Sequence, residues 1–448
     1  MSDKFDLIII GGGPGGYLAA ERAGHAGLKV LLAEQRALGG VCLNEGCIPS
    51  KTLLNSAKIF DYAKHGAAYG VNVSGAAIDH AAVVARKDKV VETLVNGVKS
   101  LMRANKVTVV YDKAEIITRN RVRIGAEVYE GARLMVAAGS EPVIPPIPGL
   151  KESLAAGQTL TNREILDLKK IPARLVIIGG GVIGLEMASY FNSAGSDVTV
   201  IEMLPKIGGP LDAELAEMLK DIYAKKGVRF ALNTKVTEIR PGFAVTDKGE
   251  FAADKMLLSI GRRPVTKGFG LENIGVALDK GAILTDAHMM TNVADVYAVG
   301  DVTGKYMLAH AAYREAEAAV NHILGKRDFM RYEAVPSVIY TAPECASVGE
   351  TEETAGARDV EYLKASVPMV LSGRFLAENT SLEGMCKVLI EKDSRRVIGA
   401  HILGSYASEM IVAAGVMIEM QMTAEDAKEV VYPHPTVCEV IREALFRF

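Results

Sequence analysis

The chain has 448 residues, a formal net charge of -3, 49% hydrophobic and 23% charged residues, which at about 100–200 residues per domain makes roughly two to four domains. Near-neutral charge leaves no basic footprint for nucleic acid, and no apolar run approaches the ~18 residues that a bilayer-crossing helix needs. The first apolar run leads straight into glycines instead of a signal-peptide cleavage region, so a cytoplasmic protein with no nucleic-acid or membrane partner is expected.

The first predicted unit is DLIIIGGGPGGYLAAERAGHAGLKVLLAEQ, which reads as strand, glycine loop, helix and a second strand ending at Glu34. Gly11, Gly13 and Gly16 fit GxGxxG. The first glycine suits a tight turn, the second a close backbone approach to a pyrophosphate, and the third close packing of helix on strand. The pyrophosphate would sit at the positive end of the helix, and the acid would bond ribose hydroxyls.

GGVCLNEGCIPSKTLL follows, with Cys42 and Cys47 among only 5 cysteines in the chain. The intervening residues, Gly46 included, let the chain curl back far enough for the two to bond. Pro49 suits the first turn of a helix, which puts Cys47 at or near a helix N-terminus where a thiol pKa falls. A metal site lacks further nearby ligands, a structural disulfide does not suit a reducing compartment, and the polar, glycine-rich neighbourhood does not look like a core for inert thiols. Redox exchange is the best reading.

EPVIPPIPG at 141–149 is proline-rich and fits a linker. Beyond it, RLVIIGGGVIGLEMASYFNSAGSDVTVIEM repeats the opening plan, with Gly179, Gly181 and Gly184 as GxGxxG and Glu202 at the same distance along the chain as Glu34 in the first copy. Two such units ask for two dinucleotides. No arginine follows Glu202 to receive a ribose phosphate, which favours NAD over NADP there. TNVADVYAVGD, 291–301, reads as a buried strand closing on Gly300-Asp301, where Asp301 alone would pass for a cap. In MTAEDAKEVVY, Thr423 suits a helix cap with acids in the first turn.

The segment VYPHPTVCEV places His434 between prolines. Alone it would be a loop residue. Beside a redox cysteine pair, thiol exchange needs a base titrating near neutrality, and Glu439 would orient the ring. Cys438 reads as a packed small residue.

In this order the motifs resemble those of the pyridine nucleotide-disulfide oxidoreductases, a family of flavin disulfide reductases. The resemblance covers nearly the whole chain: the first GxGxxG with Glu34, GGVCLNEGCIPSK, AAGS at 137–140, GGGVIGLE, IGRRP at 260–264, TNVADVYAVGD, PSVIYTAPECASVG and HPTVCE at 434–439. It implies an α/β fold with two Rossmann-like dinucleotide-binding domains, for FAD and NAD, and a C-terminal α+β dimerisation domain. The FAD domain would span 1–145 and 262–331, the NAD domain 146–261, and the interface domain 332–448.

The resemblance implies FAD held by Gly11, Gly13, Gly16, Glu34 and Asp301, with Lys51, Ala114, Gly139 and Ala309 adding contacts. It implies NAD held by Gly179, Gly181, Gly184 and Glu202, with Val236 and Gly261. Cys42 would exchange with substrate, Cys47 would face the flavin, and Lys51 and Glu186 would pair beside its ring. His434 and Glu439 would come from the partner subunit of a homodimer.

The implied substrate is a dihydrolipoyl group on another protein, part of a 2-oxoacid dehydrogenase or glycine cleavage complex, since no lipoyl domain is expected before the first strand. Cys47-Ile48-Pro49-Ser50-Lys51 is closer to the lipoamide pattern than to that of a glutathione-type reductase; a noncatalytic subunit of a complex is the alternative of another class. Two positions depart from the pattern. Glu45 replaces a commonly apolar residue and is expected to disfavour nearby thiolates, and Tyr432 stands where relatives often carry histidine, which would alter proton delivery around His434.

Overall fold

The β-branched run after Lys4 forms β1 (Lys4–Ile10), whose Leu7, Ile8 and Ile9 are fully buried, as expected of a strand covered on both faces. It opens a computed structural model that describes residues 4–448. The chain divides into two compact units, one of residues up to Thr52 with Val84–Ile144 and Gly261–Arg331, the other of Leu53–Val83, Pro145–Ile260 and Tyr332–Phe448. The expected boundaries at 145/146 and 261/262 lie one residue from these divisions, and that at 331/332 falls on one. The segments expected to form the NAD and interface domains belong to one unit.

In the first unit, α1 (Pro14–His25) starts on proline, whose missing amide costs nothing in a first turn. It leads to β2 (Val30–Ala33), parallel to β1 with Ile10 opposite Ala33. Along the chain then come α2 (Gly40–Glu45), α3 (Cys47–His65) and α4 (His80–Ala104), whose residues within Leu53–Val83 belong to the other unit, and β3 (Thr108–Val110), β4 (Ala114–Thr118), β5 (Arg121–Ile124) and β6 (Glu127–Val136). The sheet runs β3-β2-β1-β6-β5-β4, with Val296–Ala298 parallel on β6. Strand order reverses between β1 and β6, and ligand crevices of α/β sheets open beyond the carboxyl ends of strands at such a point. Gly11 and Ala137 lie there, joined across the gap by the Ala137 amide donating to Ile10 O at 2.8 Å.

In the second unit, the strand Arg174–Ile178, helix Val182–Ser193 and strand Asp197–Ile201 repeat that plan inside a five-stranded parallel sheet. A second, antiparallel five-stranded sheet is built from Ser337–Ile339, Glu344–Gly349, Val397–Gly404, Met385–Glu391 and Tyr362–Pro368. Thr423 caps the helix Ala424–Glu429 as expected, accepting from the Asp426 amide at 3.1 Å.

Lys387, central in that second sheet, is 0% exposed. Its ammonium lies 2.9 Å from Asp212 Oδ1, 2.7 Å from Glu214 Oε2 and 2.8 Å from Glu352 Oε1. Asp212 also caps the helix Ala213–Lys225. Buried charge is tolerable only when fully paired, and removing one partner leaves the rest uncompensated. Lys387→Met is therefore expected to lower unfolding free energy by about 3–5 kcal/mol, read by urea denaturation; a variant as stable as wild type would refute the point.

Candidate active site

The two glycine loops have the same construction. Gly11 (φ +103°) and Gly179 (φ +106°) adopt backbone that side chains rarely take, and a Cβ there would run into the carbonyls of Ala137 and Ser259. A Cβ at Gly16 or Gly184 would strike the carbonyl of that same first glycine. The second glycines differ: a Cβ on Gly13 would come no closer than 3.8 Å, to Gly40 Cα, and one on Gly181 would meet nothing within 4 Å. Each of these is the N-cap of a 12-residue helix, so open space lies where amides and helix dipole favour an anion. The loops fit dinucleotide pyrophosphates.

Each acid is tied into its loop. Glu34 accepts from the Gly12 amide at 2.8 Å and the Arg36 amide at 2.7 Å, and Glu202 from Gly180 at 2.7 Å and Leu204 at 2.8 Å. The carboxylates therefore brace the turn, and their remaining lone pairs are what a ribose would use. The first basic side chain after Glu202, Lys206, donates to Leu211 O at 2.6 Å and lies 3.5 Å from Glu353, so it is not held out for a ribose phosphate.

Asp301 does more than close a strand. Ser140 Oγ donates to its carboxylate, and Arg262 donates to Ser140 Oγ at 2.7 Å and to Ser140 O at 2.8 Å. Burial pushes the Asp301 carboxyl above its usual range, with Ser140 and Arg262 acting against it. Gly139 is held at φ +73° and Gly261 at φ +119°. Ala309 begins the helix Ala309–Ile323. The Ala114 and Val236 side chains are buried at strand starts, which leaves their backbone for any ligand contact.

The cysteines sit on consecutive helices. Gly39, at φ +95°, caps α2, Gly46 ends it, and α3 starts on Cys47 with Pro49 in its first turn. Asn44 Nδ2 braces the bend, donating to Leu38 O at 3.0 Å and Gly40 O at 2.9 Å. The Cys42 and Cys47 side chains are hydrogen-bonded to each other. That bond, and then burial, push the Cys42 thiol well above its usual range, while Lys51 pulls it down. The two side chains are thus neighbours on successive helices, the arrangement that thiol–disulfide exchange needs.

Glu45 has a partner that its charge alone does not reveal. Its carboxylate is taken by the Arg36 guanidinium, and its side chain is 14% exposed, so its charge is paired instead of bearing unopposed on the thiols. Two phenols unmarked by the sequence lie near enough to the pair to feel its charge. Tyr17 on α1 and Tyr313 on the helix Ala309–Ile323 are hydrogen-bonded through their hydroxyls, with ring centroids 6.0 Å apart. Burial first pushes both phenols up; Tyr313 adds to it at Tyr17, whereas Tyr17 acts against it at Tyr313, and the neighbouring thiols add a last part at both.

In the second unit His434 Nδ1 is 2.9 Å from Glu439 Oε1. Glu439 Oε2 accepts from the Thr436 amide at 2.8 Å, and that bond, then His434, hold the carboxyl below its usual range. The His434 side chain is 78% exposed, held by its partner and open to an incoming group. Tyr432 is held in a packed setting. Its ring packs on the apolar cluster around Cys386 and Val440, its hydroxyl is buried without a hydrogen-bond partner, and burial, then the Cys438 and Cys386 thiols, push it up to about 12. Cys438 packs against the same cluster.

A model of the pyridine nucleotide-disulphide oxidoreductase family matches residues 5–316. The chain belongs to that family. The family's dimerisation domain matches residues 335–445 of the oxidoreductase, which gives it a mixed α/β fold with a C-terminal dimerisation domain. It is 38% identical over 452 residues to a dihydrolipoyl dehydrogenase of Chlamydia muridarum, covering 99% of this chain and 97% of that one. It is 39% identical over 461 residues to a mitochondrial dihydrolipoyl dehydrogenase of Pisum sativum, covering 99% and 91%. Among solved structures, the HOCl-induced flavoprotein disulfide reductase RclA of Escherichia coli superposes with a TM-score of 0.88 at 27% identity over 99% of both chains.

Within the oxidoreductase, Glu186 is buried on its helix and accepts from the Tyr340 amide at 3.1 Å, unlike the exposed acid that helix spacing alone suggests. Ser140 and Arg262 lie inside stretches that carry the family resemblance, yet their bonds to Asp301 need the fold to be seen. Tyr17 and Tyr313 had no sequence signal, because only the packing of two helices far apart in the chain unites them. No helix among the described residues is long and apolar enough to cross a membrane.

Proposed function

We propose that this oxidoreductase is a dihydrolipoyl dehydrogenase, oxidising dihydrolipoyl groups borne by another protein, with FAD at the first glycine loop and NAD at the second. The observation that carries the reading is the hydrogen-bonded Cys42 and Cys47 pair at the head of α3, in a chain aligned nearly end to end with relatives that bear this name. Gly11, Gly13, Gly16, Glu34 and Asp301 would hold FAD, with Lys51, Ala114, Gly139 and Ala309. Gly179, Gly181, Gly184 and Glu202 would hold NAD, with Val236 and Gly261. When bound, the flavin supplies a two-electron carrier between the dithiol and the nicotinamide.

His434, oriented by Glu439, takes a proton from one dihydrolipoyl thiol. The thiolate attacks Cys42 in the Cys42–Cys47 disulfide and displaces Cys47. The second dihydrolipoyl thiol then attacks the mixed disulfide, expels Cys42 and leaves as the cyclic disulfide, so the substrate is oxidised by two electrons and the cysteines are reduced to the dithiol. Lys51 and Glu186 would tune the bound flavin, the role that the resemblance implies for them. His434 and Glu439 act from the second copy in a homodimer, a role supported by the matched dimerisation domain. The lipoyl-bearing partner belongs to a 2-oxoacid dehydrogenase or glycine cleavage complex, and the cytoplasm suits a cysteine set read as redox chemistry.

A glutathione-type reductase is disfavoured because no basic side chain is kept for an NADP phosphate behind Glu202. The deciding experiment is anaerobic turnover of purified protein with dihydrolipoamide and NAD, followed as NADH formation with ping-pong kinetics. Absence of NADH from FAD-replete protein would overturn the assignment.

A further inference from the structure

We propose that Arg36 is a positioning residue that holds the Glu45 carboxylate off the Cys42–Cys47 pair, a role resting on the reading of that pair as the reactive thiols. Cys42 and Glu45 are three positions apart on α2, a spacing that puts their side chains on one helix face. An acid at that spacing would normally crowd a reacting thiol. Here Arg36 reaches across to it, with Nη1 3.3 Å from Glu45 Oε2 and Nη2 on Oε1. Arg36 is itself fixed, because its amide donates to Glu34 Oε1 at 2.7 Å, and Glu34 is bonded to the Gly12 amide. One chain of bonds therefore runs from the first glycine loop through Glu34 and Arg36 to the helix that carries Cys42.

The groups acting on the thiols from neighbouring elements are Lys51 on α3 and the phenols of Tyr17 and Tyr313. The phenols stay neutral, so Lys51 is the one charge among these three. Glu45 would oppose it if released. The guanidinium is half exposed and the carboxylate mostly covered, so a variant that removes Arg36 takes a cation from the acid without opening the core.

The test is the pH profile of iodoacetamide alkylation at Cys42 and Cys47 in reduced holoenzyme, with the site of labelling read by peptide mass. Arg36→Gln is expected to move the alkylation midpoint upward by about half a pH unit, the size of a partly solvated charge interaction. Glu45→Gln is expected to stay at or slightly below the wild-type midpoint, and Arg36→Gln with Glu45→Gln to return to it. An unmoved Arg36→Gln profile overturns the proposal. So does a double variant shifted as far as Arg36→Gln alone, since Arg36 would then act without Glu45. Wild-type protein that resists alkylation throughout would overturn the reading of the pair as reactive, and this proposal with it, whereas labelled protein lacking dihydrolipoamide turnover would bear on the substrate alone.

Discussion

Cys47→Ser is expected to lower dihydrolipoamide oxidation by about 10³-fold or more, because the reaction consumes a disulfide that one cysteine cannot form. Cys42→Ser should be equally inactive, for the same balance of electrons. The two variants should still differ. With Cys47 gone, Cys42 loses both its hydrogen-bond partner and the thiol that would resolve a mixed disulfide, so Cys47→Ser should trap an aromatic disulfide reagent as a stable adduct on Cys42. In Cys42→Ser no such adduct should collect at residue 42. Thiol titration with the labelled residue read by peptide mass separates this from Cys438, which is only partly buried, while Cys345 and Cys386 are buried to 1% and 0% exposure and burial pushes both thiols up. Near-normal turnover in both serine variants would sink the disulfide scheme.

What was legible in the sequence follows from how local each requirement is. The first glycine of each loop is demanded by the backbone: a turn at φ above +100° with a carbonyl in the way of any Cβ admits only glycine, and the pattern repeats because the steric problem repeats. His434 and Glu439 lie close enough in sequence to be paired by inspection. Side-chain partnerships across the fold are another matter. Glu45 shows only its charge in the sequence, although Arg36 is near, because nothing local says which way a guanidinium will point. Tyr432 shows only its neighbour His434, whereas its ring is taken by the apolar cluster that holds Cys386. Lys387, in a strand that reads MCKVLIE, is a charge in a β-run until Asp212 and Glu352 are brought to it from distant segments. The ties of Ser140 and Arg262 to Asp301 were hidden for the same reason.

His434→Gln is expected to lower kcat/KM for dihydrolipoamide by about 10²–10⁴-fold, the usual worth of a positioned base, with Glu439→Gln milder because it only orients the ring. The more decisive use of His434→Gln is in combination. If each site takes its cysteines from one copy and its base from the other, a dimer pairing a Cys42→Ser chain with a His434→Gln chain holds one site with both defects and one with neither. Two nearly inactive proteins, dissociated and reassembled together in equal amounts, should then recover about a quarter of wild-type activity, since half the dimers are mixed and each has one working site. If both groups belonged to a single chain, every site in every dimer would carry a defect and mixing would recover nothing. The two arrangements therefore give opposite answers from the same pair of variants, and folding of each variant is controlled by its own homodimer before mixing. Recovery would also establish that a second copy completes the site, because activity would appear only where two chains meet.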